Sequence, residues 1–183
     1  MNLQARNAAD SANAAGAISY TDTNAFNVTG VATTSTVALT SNTANMTDSG
    51  AIAGTTLTTN SVTGSVLDFG HTVIGYSATN TTSGVIQLVN TAATLGITSI
   101  SQTGGGAVTV NNTGNISISG SVAGGTSAVN LTATGTIVEA GAGLISTSGT
   151  LTTSSVGGTT LSGAGTNAIN TFNATNATSG DIT

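Results

Sequence analysis

A chain of 183 residues with one Arg, no Lys and six acidic residues carries a formal charge of −5, which makes electrostatic binding to nucleic acid or anionic lipid unfavourable. Cys, Pro and Trp are absent. Disulfides and thiolate metal sites are therefore excluded, and nearly every backbone N–H is available to a hydrogen-bond ladder. Charged residues make up only 4% of the chain, and 39 Thr with 21 Ser supply the polar surface instead.

Residues 1–10 lack the apolar core of a signal peptide, so an export signal would lie outside this chain. Residues 4–17 are rich in Ala and are the one helix candidate, although Asn, Asp, Ser and Gly interrupt them. No apolar run approaches the roughly 20 residues of a membrane-spanning helix, and no membrane insertion is expected. From Ile18 onward the pattern has period two. Ile18/Tyr20, Ile86/Leu88, Val108/Val110, Ile116/Ile118 and Val129/Leu131 alternate with polar residues, and glycines at 104–106, 124–125 and 157–158 punctuate them. Half-buried strands between tight corners give this pattern. Such regular use of β-branched residues also argues against disorder, in spite of the abundant Gly, Ser and Thr.

The spacing between runs is close to 20 residues: Ile118, Ile137 and Val156 are 19 apart, and Leu131 and Leu151 are 20 apart. A step of that size fits one coil of a parallel β-helix with three short strands and three turns. The expectation is an all-β fold, a single β-solenoid over residues 1–183 with about nine coils of roughly 20 residues.

A longer repeat is laid over the coil. Residues 16–30 return as 106–120 at an offset of 90, residues 35–40 as 127–132 at 92, and residues 55–67 as 149–161 at 94. A segment ending at Ile86 returns ending at Ile182, an offset of 96. Two copies, 16–90 and 106–183, are thus expected, with 1–15 and 91–105 as the corresponding connecting coils. The last residues, SGDIT, match only the opening of 83–96, and the first residues read as its continuation. Neither end reads as a cap, so the chain reads as a piece of a tandem array whose partner is another copy, joined head to tail.

Residues 130–183 resemble the filamentous haemagglutinin-like repeats of large bacterial exoproteins secreted by two-partner systems. The matching positions are Leu131, Thr132, Ala133, Gly135, Ile137, Gly143, Ile145, Gly149, Leu151, Gly158, Leu161, Asn167 and Ile169. Residues 42–48 of the first copy have lost the corresponding glycine and isoleucine. The resemblance implies a right-handed parallel β-helix in an extended extracellular shaft at the bacterial surface. It does not imply a binding site in this segment.

Chemistry-bearing residues are few. Asp10, Asp22, Asp48, Asp68, Glu139 and Asp181 are spread along the chain, and Asp48 and Asp68 are the one acid pair at coil spacing. With His71 they sketch an acid–base group or a weak metal site. The reading preferred here is turn acids at corners and a His in a loop, because the second copy has LSGAGT where Asp68 and His71 stand. Arg6 and Asp10 are placed to pair locally. The glycine corners lack the Asp spacing of calcium-binding β-rolls, and no cofactor is expected.

Eight sequons, at Asn27, Asn45, Asn80, Asn111, Asn115, Asn130, Asn173 and Asn176, are glycosylation candidates. With 18 Asn and 60 Ser or Thr in the chain, chance gives about six. Thr-x-Thr pairs at 21/23, 34/36, 56/58 and 150/152 raise an ice-binding reading, but their spacing does not repeat coil by coil. The expected function is a non-enzymatic structural shaft segment of a secreted, adhesin-like surface protein. The alternatives are a self-assembling extracellular fibre subunit and, behind it, a carbohydrate-binding or ice-binding β-helix that meets host or surface glycans.

Overall fold

The computed structural model describes residues 1–6 and 12–183. Five short strands come first: β1 (Asn2–Ala5), β2 (Ile18–Asp22), β3 (Phe26–Ala32), β4 (Thr36–Ser41) and β5 (Met46–Asp48). Four longer ones follow, β6 (Ile52–Ser61), β7 (Ser65–Asn80), β8 (Ile86–Gln102) and β9 (Val108–Gly125). The set closes with β10 (Val129–Ala133), β11 (Ile137–Glu139), β12 (Leu144–Ser155), β13 (Thr159–Thr160) and β14 (Ala168–Asn176). All fourteen pair in parallel within one sheet, wound into a β-solenoid of about eight coils.

Of the helix candidate at 4–17, residues 7–11 lie outside the described residues, as does any pairing of Arg6 with Asp10. What flanks them is extended. Residues 2–5 are β1, and Ala14 makes a parallel bridge to Thr33.

Each coil has three faces, and inward side chains stack from coil to coil. On the first face the register partners are Phe26, Met46, Ser65, Ile86, Val108, Val129, Leu151 and Phe172. A second face carries Leu95, Ile116, Ile137 and Thr159. The third carries Ile18, Val37, Leu57 and Tyr76, then, past a bulge, Ala78, Ile100, Val122 and Ile145. Val, Ile and Leu dominate because a narrow tube between β-strands favours branched aliphatics over rings. Burying each contributes about 1.5–3 kcal/mol relative to exposure.

The register bears out the expected step from Phe26 to Ser65 and from Ile18 to Tyr76, where it is 19 or 20 residues, and lengthens it to 21 or 22 beyond. Ile137 pairs with Ile116 and Thr159 rather than with Ile118 and Val156, and Leu131 pairs with Val110 and Thr153 rather than with Leu151. Val156 sits in a turn and is 38% exposed. A slip of two residues leaves every side chain on its own face, so alternation alone does not separate a step of 19 from one of 21. The longer step gives about eight coils where nine were expected.

The register also shows how the duplication sits on the coils. Ile18, Val37 and Leu57 lie on the third face, and their sequence equivalents Val108, Val129 and Leu151 lie on the first. Ile86 lies on the first face, and its equivalent Ile182 bridges to Thr159 on the second. The second copy is therefore advanced by one face, and the 90-residue unit spans four coils plus one face.

Corners are tight enough to require glycine. Gly84 has φ +83°, and a Cβ there would stand 2.1 Å from the Thr63 carbonyl oxygen. One coil further on, a Cβ on Gly106 would stand 2.0 Å from the carbonyl oxygen of Gly84.

Leu88 is fully buried on the first face. Leu88→Ala is expected to lower unfolding free energy by about 2–5 kcal/mol in urea denaturation, while Ser99→Ala on the outer surface stays within about 0.5 kcal/mol.

Candidate functional site

Asp48 and Asp68 lie on successive coils, as their spacing predicts, but Asp68 is exposed and the contact between them runs through the backbone. Asp48 Oδ1 accepts the Asp68 N–H at 3.1 Å, and Oδ2 accepts the Phe69 N–H at 2.9 Å. His71 is not in an open loop. Its ring is fully buried, Nδ1 accepts the Ile52 N–H at 2.9 Å, and Nε2 stands 3.0 Å from Asp48 Oδ2. That last approach meets the distance but not the alignment of a hydrogen bond.

The Asp48 side chain is 1% exposed. Burial pushes its carboxyl up, but His71 and the N–H groups of Phe69 and Asp68 outweigh this and hold it below the usual carboxylate value. Asp48 thus works as a cap for the corner, as expected of a turn acid, and His71 completes the cap from inside the wall. Chemically the pair could pass a proton, but neither group meets solvent. Among the described residues no three His, Asp or Glu side chains converge as metal ligands.

The polar groups that shape the interior are amides, of which the sequence singled out only Asn80, and that as a glycosylation candidate. Asn90 forms a closed pair with Val73, accepting its N–H at 2.9 Å and donating to its carbonyl at 3.0 Å, and it also donates to Asn112 Oδ1 at 2.9 Å. Asn112 repeats the pattern around Ala92. At another corner Asn80 accepts the Gly64 N–H and donates to Gly84 O and Gln102 Oε1. A signal was present: Asn90, Asn112, Asn80 and Gln102 each follow an inward residue by two positions, at the end of an alternating run. A polar residue in the inward phase must satisfy backbone where the wall turns.

Glu139 fills such a position as well. It is 5% exposed, and its Oε2 accepts from Asn167 at 3.0 Å and from the Gly163 N–H at 3.2 Å. Tyr76 is enclosed, and burial pushes its phenol up to about 12 against the opposing effect of the Thr59 and Ser65 hydroxyls.

The glycosylation candidates divide by burial. Asn80 is fully buried and its amide nitrogen is engaged by Ser83, Gly84 and Gln102, which removes it as an acceptor in the folded chain. Asn27, Asn45, Asn111, Asn115, Asn130 and Asn176 are half-buried, and Asn173 is exposed. Asn27 is tied to Ser49, Asn115 to Thr136, and Asn176 to the carbonyl of Ser179.

Outward on the third face, Ser19/Thr21, Ala38/Thr40, Thr58/Asn60, Ser77/Thr79 and Ser99/Ser101 stack in register. The array is a mixed Ser, Thr, Asn and Ala surface; of the Thr-x-Thr pairs, only Thr56/Thr58 falls wholly on this face.

Among the described residues away from the first and last coils, Val156 is exposed by 38%, and the large apolar side chains most in solvent are Phe69 at 59% and Ile74 at 63% exposure. Together they offer on the order of 200 Å², well short of the roughly 800 Å² per partner of a stable protein interface. No protein-family profile, characterised protein sequence or solved structure matches this chain.

Asn90→Ala leaves the Val73 N–H and C=O without partners inside the wall. Each such group costs about 1–3 kcal/mol, so a loss of at least about 2 kcal/mol is expected in urea denaturation, against no measurable loss for Asn173→Ala.

Proposed function

We propose that this chain is a structural shaft segment of a secreted bacterial surface protein, adhesin-like and without a catalytic centre of its own. The unbroken parallel stack carries the reading. The same wall position is filled coil after coil from Phe26 to Phe172, which is how a rod of constant width is built from repeats that touch only their neighbours. The likeness of residues 130–183 to filamentous haemagglutinin-like repeats supports placing the rod outside the cell. The sealing of Asp48 and His71 inside the wall supports a non-catalytic role, because a proton carried there meets no substrate.

A second reading, a self-assembling extracellular fibre subunit, is favoured by the two end coils. Among the described residues β14 pairs only with β12 and β2 only with β4, which leaves a row of unpaired backbone groups at each end. The last coil also exposes Phe172 by 40% and Ile182 by 45%. Head-to-tail stacking by strand addition between copies would cover both. Host or surface glycans are the next partners to consider, since the outer surface is hydroxyl and amide rather than charge.

Electron microscopy of the purified chain separates the two. The shaft reading predicts short monodisperse rods roughly 38 Å long for eight coils, with no cleavage of neutral or acidic polysaccharides. Unbranched fibrils one solenoid wide would replace it with the fibre reading, and polysaccharide cleavage would overturn both.

A further inference from the structure

At residues 68–70 the wall of the solenoid makes an outward bulge that holds an exposed ring. Residues 68–70 leave the register between Leu67 and His71, with Gly70 at φ +101° and Phe69 in solvent. Two side chains from different coils hold this bulge in place. Asp48, at the end of β5, accepts the N–H groups of Asp68 and Phe69, and His71, in β7, turns inward to accept the N–H of Ile52 in β6. Nδ1 accepts from Ile52, so the ring proton of the neutral imidazole is on Nε2, facing Asp48.

A second proton on this network weakens its hold on the backbone. A proton on Nδ1 would face the Ile52 N–H donor to donor. A proton on Asp48 removes the charge that strengthens its bonds to the Asp68 and Phe69 N–H groups and turns one oxygen into a donor. The first costs the buried Ile52 N–H its partner, and the second loosens the exposed corner at 68–69.

Few other ionisable groups surround the pair. β3, packed on β5 and β6, has none, and neither has β6 or β8. In β7, Asp68 points to solvent, and Tyr76 stays protonated throughout the acid and neutral range. Beyond them, the Arg6 guanidinium lies against Gly30 of β3.

We propose that Asp48 and His71 form a proton-operated latch that holds the 68–70 bulge closed at neutral pH and releases it in acid. Coils on either side are built from aliphatic and amide ladders without ionisable groups, so the opening is local. It makes this coil of the stack a point where acid admits water, beside the exposed Phe69 and Ile74. The latch depends on the fold alone and stands whether or not the chain is a surface shaft.

Hydrogen exchange on the intact chain between pH 7 and pH 3, expressed as protection relative to intrinsic exchange at each pH, tests this without any variant. The latch predicts at least tenfold loss of protection at Ile52, Asp68 and Phe69 on acidification, with Leu88, Val110 and Leu131 unchanged. Retained protection at Ile52, Asp68 and Phe69 at pH 3 overturns it, as does simultaneous loss in every coil. Asp48→Asn, which presents an N–H₂ where an acceptor stood, should show at pH 7 the exchange that the natural chain shows at pH 3. His71→Phe should leave Ile52 poorly protected and indifferent to pH. A titration of Ile52 that persists in His71→Phe would assign the effect elsewhere and overturn the latch. Far-UV circular dichroism confirms that each variant has kept its strands.

Discussion

Every coil is held by the side chains directly above and below it. In a parallel stack each inward residue meets its register partners on both neighbouring coils, so the ladders determine which residues face each other and the hydrogen bonds follow. The columns from Phe26 to Phe172 and from Leu95 to Thr159 are the clearest expression. Length of chain between successive partners is free to vary as long as the extra residues are placed at a corner. That tolerance explains how the offset between copies drifts from 90 to 96 without breaking a ladder.

Corners are the costly places, because the backbone turns there and its polar groups lose their strand partners. Two devices meet the cost. Glycines such as Gly84 and Gly106 let carbonyls of the preceding coil approach to distances that a Cβ would forbid. Inward amides, at Asn80, Asn90, Gln102 and Asn112, bond both to the turning backbone and to one another along the axis. Asp48 and His71 occupy a comparable place with ionisable groups. That difference gives one coil a response to pH that a corner built of amides lacks.

Fold class was legible from alternation, glycine corners and coil spacing, because each of these is a local property of a strand or a turn. The longer step of the second half was not, since Ile137 looks equally well placed over Ile118 and over Ile116 when only the inward phase is known. The 90-residue repeat was visible, but its rotation by one face was not, because sequence similarity carries no record of the angle at which a segment meets the axis. At the candidate site, coil spacing brought Asp48 and Asp68 to neighbouring coils, yet it did not show His71 turning inward to join Asp48. Asn90 and Asn112 were passed over because Asn in a chain rich in Asn reads as a turn residue, whereas their inward phase marks them as wall.

The most direct test of this account distinguishes stacking by coil from stacking by sequence repeat. With no native Cys, pairs of spin labels can be placed on introduced cysteines without background. Thr109 and Asn130 are register partners on adjacent coils, whereas Thr109 and Ser19 are equivalent in the repeat but lie on different faces. Strong dipolar broadening is predicted for labels at 109 and 130, whose backbones are about 5 Å apart, and none for labels at 19 and 109, separated by about 20 Å or more. Broadening for the pair at 19 and 109, or its absence for 109 and 130, would contradict the stack.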